Sequence, residues 1–289
     1  MKNVGLSNSW ILSERPKDIP AWDSLSSEEK AMLETRMEVY AAQIDRMDQG
    51  VGRIFDLLKE KDELDNTIIL FLSDNGGNAE PEGKDFDAYT IEDIGGKIFN
   101  QSYRRHWANM SNTPFRLYKS SNHEGGISTP LIVHWPKHIK SASFTNQKGH
   151  VIDLLPTLVE LTGASYPKKL GANSIKPLQG KSLVSAFNGK ETERGPMFFE
   201  HQADRAVIDG KWKLVSTKSK KKPYKGKWEL YDLSIDRSEE NNLIHQLPEI
   251  AEKLEAKWEQ WAQQNNVLPL DGRGWGKRLK ADINYTEKK

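Results

Sequence analysis

The chain has 289 residues, with 42 Lys+Arg against 41 Asp+Glu and a formal net charge of +1. That balance gives no global field for nucleic acid or an anionic membrane, and the length suffices for a buried core without disulfide staples. There is no cysteine, so disulfides, thiolate metal sites and a cysteine nucleophile are excluded.

The first twenty residues carry no apolar core of a secretory signal, and the compartment is left open. Ser26 and Glu29 then form Ser-x-x-Glu, a capping box. Behind it Leu33, Met37, Tyr40, Ile44, Met47, Val51, Ile54 and Leu58 recur at steps of four and three, the stripe of a long amphipathic helix over 27–60. The run Thr67 to Leu72 is apolar throughout, which reads as a strand covered on both faces. It contains the longest apolar run, Ile68 to Leu72, far too short to span a membrane. It ends at Ser73-Asp-Asn-Gly-Gly77, and polar residues at the carboxyl end of a buried strand are where open α/β sheets gather ligands.

Residues 78–112 show no clean period and read as a long excursion. Leu131 to Trp135 is a second short strand. Val151 to Leu161 reads as a helix closed by Gly163, and 163–195 as a connector. From Gly195 the pattern changes. Met197–Glu200, Arg205–Ile208, Lys211–Val215 and Trp228–Tyr231 are short strands, with Asp209-Gly210 as a hairpin turn. A last helix over 248–264 aligns Ile250, Leu254, Trp258 and Trp261. Residues 1–195 are therefore expected to form an α/β core and 196–289 a small antiparallel sheet plus helix. The basic stretch Lys218–Lys225 falls in a hairpin loop, either a solvated loop or a contact for an anionic polymer.

Two places could carry chemistry. Asp74-Asn75 reads either as a turn or as a pair of hard oxygen donors for Ca²⁺ or Mg²⁺. Lys119, near Gly125 and Gly126 and just before a strand, is either a surface lysine or a point charge for an anionic group. The seven histidines give no helical zinc pair; His134 and His138 have the spacing but straddle Trp135-Pro136. No Gly-x-Ser-x-Gly elbow or phosphate-binding Gly-rich loop is present.

Met37–Gly52, Asp65–Gly77, Trp107–Lys119, His123–Ile132, Asp153–Thr157, Glu200-His201 with Arg205-Ala-Val, and Trp228–Leu233 together resemble the type I sulfatases, and the bacterial arylsulfatases in particular, from about residue 20 to 265. The resemblance implies an α/β fold: part of an alkaline-phosphatase-like core, then the small sheet-plus-helix subdomain. It implies hydrolysis of a sulfuric ester, with a small sulfate ester or a sulfated saccharide as partner. It makes Asp74 and Asn75 ligands of a divalent cation, usually Ca²⁺, and Lys119 the contact to the sulfate and its leaving oxygen. His123 and Asn109 flank that lysine and are expected to touch substrate.

The sequence also departs from the family pattern. The family nucleophile is a formylglycine made from Cys or Ser in Cys/Ser-x-Pro-x-Arg, and that motif is absent. The nearest match, Asn112-Thr-Pro-Phe-Arg116, has Asn at the precursor position. The expectation is a C-terminal portion of a sulfatase, inactive alone, with weak Ca²⁺ binding and uncovered apolar faces on its core strands. Two alternatives stand beside it: a phosphoryl ester hydrolase of the same superfamily, and a non-catalytic module that binds a sulfated polymer.

Overall fold

The computed structural model describes residues 12–80, 90–96, 102–139, 141–274 and 276–278. Helix α1 spans Ser27–Glu60. Its capping box forms as the sequence requires: the Glu29 N–H donates to Ser26 Oγ at 3.1 Å, and the Ser26 N–H to Glu29 Oε2 at 2.8 Å. Strand β1 is Ile69–Leu72 and helix α2 is Arg104–Asn112. The single turn α3, Glu124–Ile127, leads into β2, Leu131–His134. Helix α4, Leu154–Thr162, ends on Gly163, whose φ of 67° is the left-handed cap anticipated there. A short ladder, β3 (Lys169–Leu170) with β4 (Asn173–Ser174), and the turn α5 (Val184–Phe187) occupy the connector. Then follow β5 (Met197–His201), β6 (Asp204–Asp209), β7 (Trp212–Ser216), β8 (Glu229–Asp232) and α6 (Pro248–Gln264).

The chain forms two compact units. One takes in the described residues of Met1–Ile44, Asn75–Ser128 and Phe198–Lys289; the other takes in Asp45–Asp74 and Thr129–Met197. One crossing between the units lies at 197–198, near the division at 195–196 read from the sequence, but the described residues of 1–44 and 75–128 group with the C-terminal residues.

In the first unit, β5-β6-β7-β8 hydrogen-bond in sequence order. Asp209 opposite Trp212 closes the β6–β7 hairpin, and Gly210 there has φ 57°. This sheet is buried on both faces, which is why its strands do not alternate cleanly. On one face Val207, Leu214 and Leu230 meet Ala251, Leu254, Trp258 and Ala262 of α6. Ile250 and Trp261, expected on that stripe, pack at its rim. Side chains alternate across a strand, so Lys213 and Tyr231, paired across β7 and β8, fall on the other face. The front of α1 belongs to this unit. Trp107 Nε1 donates to the Leu33 carbonyl at 2.7 Å, and the Tyr40 and Tyr103 rings lie 4.6 Å apart.

In the second unit β1 and β2 pair antiparallel, with Phe71 opposite Ile132. Here the reading of a strand covered on both faces is corrected, and the other expectation, an uncovered apolar face on the core strands, is what the structure has. Phe71 is 46% exposed and Ile132 59%, because no described layer covers that face of the pair. The α1 stripe likewise leaves Met47 and Ile54 exposed. Buried Asp153, at the start of α4, is gripped by Arg194: Nη2 lies 2.6 Å from Oδ1, and Nε 2.8 Å from Oδ2. That explains the Asp153-Leu-Leu-Pro-Thr157 stretch as a structural joint.

Trp258 anchors the sheet–helix core. It is fully buried and its Nε1 donates to the Phe199 carbonyl at 3.0 Å. Replacing it with alanine should cost about 3–5 kcal/mol, and Ile250→Ala at the rim much less. Urea unfolding midpoints of the two variants test this; equal losses would contradict the assignment of the core.

Candidate active site

Asp74 follows β1 by two residues and is exposed. Asn75 is half-buried, and its Nδ2 donates to the Gly76 carbonyl at 2.8 Å. From here the backbone is tied to the lysine segment. The Gly76 N–H donates to the Gly126 carbonyl, and the Lys119 N–H to the Gly77 carbonyl, both at 3.1 Å. The approach is so close that a Cβ on Gly76 would overlap the Gly125 carbonyl, and a Cβ on Gly125 would overlap the carbonyls of Leu117 and Arg116. The Asn-Gly-Gly and Glu-Gly-Gly motifs are thus two halves of one backbone junction.

Asn112 completes this junction. Its Oδ1 accepts from the Gly77 N–H at 2.9 Å, while Nδ2 donates to the carbonyls of Leu117 and Gly125 at 2.9 and 2.8 Å. The asparagine at the nucleophile-like position of Asn112-Thr-Pro-Phe-Arg116 therefore holds two turns together.

Lys119 is about one-third exposed, with Nζ 3.4 Å from Glu80 Oε2. The other Glu80 oxygen accepts from Ser120 Oγ at 2.7 Å. That hydrogen bond, aided by Lys119, holds the Glu80 carboxyl below the usual carboxylate range despite partial burial. Glu80 carries no sequence signal that would have singled it out, and Asn112 drew notice only as the departure from the nucleophile motif.

Beneath this junction lies a network of three cations and three carboxylates. Glu124 is buried; its Oε1 lies 2.9 Å from Lys213 Nζ and its Oε2 2.9 Å from Arg237 Nη2. Lys213 also pairs with Glu239 at 2.8 Å, and Glu239 Oε2 accepts from the Glu124 N–H at 2.8 Å. Arg116 Nη1 reaches Tyr231 Oη and the Glu239 carbonyl, each at 3.0 Å, and lies 3.6 Å from Glu229. Burial disfavours the charged form of both Glu124 and Lys213. Their mutual attraction, with Arg237 and Glu239, outweighs it, so the carboxyl stays low and the ammonium high. A lysine inside the apolar stretch Trp212–Val215 was the available sequence signal, since a strand lysine facing a core needs carboxylate partners.

Lys119 and Asn75 are thus brought together by the junction, with Asp74 adjoining Asn75 in sequence. His123 is not presented to a cleft as expected. It is 1% exposed, its Nε2 lies 3.2 Å from Glu229 Oε2 and its Nδ1 3.1 Å from Ser121 Oγ. The residue before Glu124 must turn inward with it, so the imidazole locks the loop to β8. Asn109 is half-buried on α2 and its carbonyl accepts from Thr113 Oγ1 at 3.0 Å; no bond of the junction involves its side chain.

Asp74 and Asn75 offer a carboxylate and an amide oxygen, hard donors that suit Ca²⁺, which takes about 6–8 oxygens. Among the described residues no group of three or more His, Cys, Asp or Glu side chains gathers as a metal cage, so this pair would supply part of a shell. No described helix is long and apolar enough to cross a membrane.

Comparison with known proteins agrees with this architecture. Residues 12–164 match the family described as Sulfatase, and residues 116–264 the family described as N-sulphoglucosamine sulphohydrolase, C-terminal. The chain is 34% identical over 264 residues to an uncharacterised sulfatase of Schizosaccharomyces pombe, covering 86% of this chain and 47% of that one. It is 33% identical to an arylsulfatase of Klebsiella aerogenes over 60% of this chain and 39% of that one. It is 30% identical to the N-acetylgalactosamine-6-sulfatase of Sus scrofa over 60% of this chain and 28% of that one. The chain thus spans less than half the length of these relatives. The crystal structure of a sulfatase from Bacteroides fragilis superposes with a TM-score of 0.55 at 21% identity, covering 86% of this chain and 46% of that one. This likeness shows the alkaline-phosphatase-like α/β fold.

Glu229 offers a direct test of the network. Burial would raise its pKa, but hydrogen bonds from His123 and Tyr231, with the charges of His123 and Arg116, bring it from the ordinary 4.5 to about 2. A depressed carboxyl stabilises the fold fully above the unfolded value and loses that contribution as pH falls through the folded one. Stability should therefore decline between about pH 4.5 and 2, and Glu229→Gln should be less stable at neutral pH with a shallower acid limb. Urea midpoints measured across that range check this; parallel acid limbs would contradict it.

Proposed function

Because the chain belongs to the sulfatase family, we propose that it carries the lysine and part of the cation seat of a sulfuric ester hydrolase site, with a sulfated saccharide as substrate class. The observation that supports this best is the pair of backbone bonds, Lys119 to Gly77 and Gly76 to Gly126, that sets the lysine loop against the Asn75 turn.

In this reading Lys119 gives a sulfate oxygen, or the bridging oxygen, a charge-assisted hydrogen bond as negative charge develops there. Its backbone is fixed by the junction, and its ammonium already rests against an anion, Glu80. An arriving sulfate takes that place while Ser120 keeps Glu80 in position. Asp74 and Asn75 would hold Ca²⁺, which when bound supplies a fixed double charge to the sulfate oxygens. The sequence contains no Cys- or Ser-x-Pro-x-Arg, so this polypeptide alone is expected to bind the ester without turning it over. The choice of a sugar sulfate draws on the name of the galactosamine-sulfatase relative.

Calorimetric titration with Ca²⁺ and then N-acetylgalactosamine 6-sulfate tests the reading. Asp74→Ala should abolish the Ca²⁺ signal. Lys119→Ala should weaken the sugar sulfate on the order of tenfold or more, the worth of a hydrogen bond to a charged group. Sugar binding unaffected by Lys119→Ala would overturn the site, and tighter binding of the matching 6-phosphate would favour a phosphoryl ester.

A further inference from the structure

The first compact unit holds a second basic feature that the junction does not use. Residues 218–227 contain six lysines and no acidic residue, in a chain whose net charge is only +1. This β7–β8 loop is built rather than loose. The Lys218 N–H donates to Asp204 Oδ1 at 2.6 Å, the Ser219 N–H to the Tyr224 carbonyl at 2.8 Å, and Lys225 Nζ lies 2.6 Å from Glu259 Oε1. Those bonds use Lys218 and Lys225 as fasteners. The ammonium groups of Lys220, Lys221 and Lys222 have no hydrogen-bond or ion-pair partner among the described residues and are exposed.

A cavity of about 560 Å³ opens beside them, lined by Lys220, Tyr224, Gly272, Arg273, Gly274, Gly276 and Lys277. Tyr224 is its wall. The ring packs so closely on Gly272 that a Cβ there would lie 2.7 Å from Tyr224 Cδ1. Arg273 is neutralised by Asp271, with Nη2 2.6 Å from Oδ2 and Nε 2.9 Å from Oδ1. The Lys277 N–H donates to the Gly274 carbonyl at 2.9 Å, a turn that fixes the backbone from which this exposed lysine projects. Lys220 and Lys277, from segments over fifty residues apart, thus bring two uncompensated ammonium groups to one cavity beside an aromatic wall.

We propose that this cavity is a second, non-catalytic site that seats sulfated sugar units of a polysaccharide, with Lys220 and Lys277 on the sulfates and Tyr224 along the sugar. Two discrete point charges beside one aromatic wall of an open depression suit separate sulfate groups on a saccharide. They suit the continuous phosphate track of a nucleic acid less well, since that needs a charged groove with successive aromatic platforms. The volume lies within the roughly 300–1,000 Å³ of small-ligand pockets, room for a short saccharide segment. The choice of a sulfated saccharide rests on the reading given under Proposed function; the site itself does not involve Lys119.

The test uses the whole chain and heparin, with affinity measured as a function of salt. Lys220→Ala/Lys277→Ala should weaken heparin on the order of tenfold and lower the salt slope, as loss of two charge contacts requires. The charge-matched control Lys168→Ala/Lys176→Ala, exposed lysines of the other unit, should leave both unchanged. N-acetylgalactosamine 6-sulfate binding, which depends on Lys119, should be unchanged in Lys220→Ala/Lys277→Ala, so failure of the ester site and failure of this site are read separately. De-sulfated heparin should bind at least tenfold more weakly than heparin. Equal losses in the two double variants, no loss in either, or full competition by duplex DNA or de-sulfated heparin would each overturn the proposal.

Discussion

The carboxylate of Glu124, held between Lys213 and Arg237, is the constraint on which the lysine loop depends. Three carboxylates and three cations meet at that loop, and three of them, Lys213, Glu124 and Glu239, are buried, so removing Lys213 leaves buried carboxylates without their partner. Breaking such a pair costs about 3–5 kcal/mol, even though forming it contributes little net stability. The network's value is therefore geometric. It permits one register between the lysine segment and the C-terminal sheet, and it penalises every other. The sheet is committed on both faces: Leu214 and Leu230 pack on α6, while Lys213 and Tyr231 turn to the loop.

Above that support the site is assembled by backbone rather than by side chains. Gly76 and Gly125 let two turns approach to a separation that no side chain tolerates, and Asn112 satisfies the polar groups the approach leaves over. Lys119 and Asn75 are then brought near each other by the hydrogen bonds of Gly76 and Gly77 to the lysine loop. Leu117 and Ser120, with φ of 63° and 74°, take left-handed conformations that ordinary residues adopt rarely. Such conformations persist where surrounding bonds over-determine them, and here those bonds come from Asn112, Gly77 and Glu80. This pre-organisation is what the proposed handling of a sulfate oxygen would use.

Much of this was legible in sequence. The capping box at Ser26, the 3.6-residue stripe behind it, the Asp209-Gly210 hairpin and the Trp258 helix face all rest on local periodicity and turn chemistry, and all formed where the sequence placed them. Asp74, Asn75 and Lys119 were named through resemblance, and the backbone bonds set the Asn75 turn against the lysine loop. What escaped was non-local. His123 looked like a cleft residue because it adjoins Lys119 along the chain, whereas Glu229, over one hundred residues later, draws it inward. The expected two-sided cover of β1 came from its unbroken apolar run; Phe71 and Ile132 show that composition records what a strand is suited to, not what lies on it. Glu80 and Asn112 are ordinary polar residues whose roles exist only once the two glycine turns meet.

Hydrogen exchange of the 117–126 amides in Lys213→Met, read beside global stability, tests most directly whether the C-terminal sheet holds the lysine loop. If it does, the amides of Lys119, Gly125 and Gly126 lose protection by orders of magnitude more than the α1 amides, because the loop is released before the whole unit unfolds. Protection that falls uniformly across the chain, or not at all in this loop, would contradict the account: Lys213 would then stabilise the unit generally without positioning Lys119.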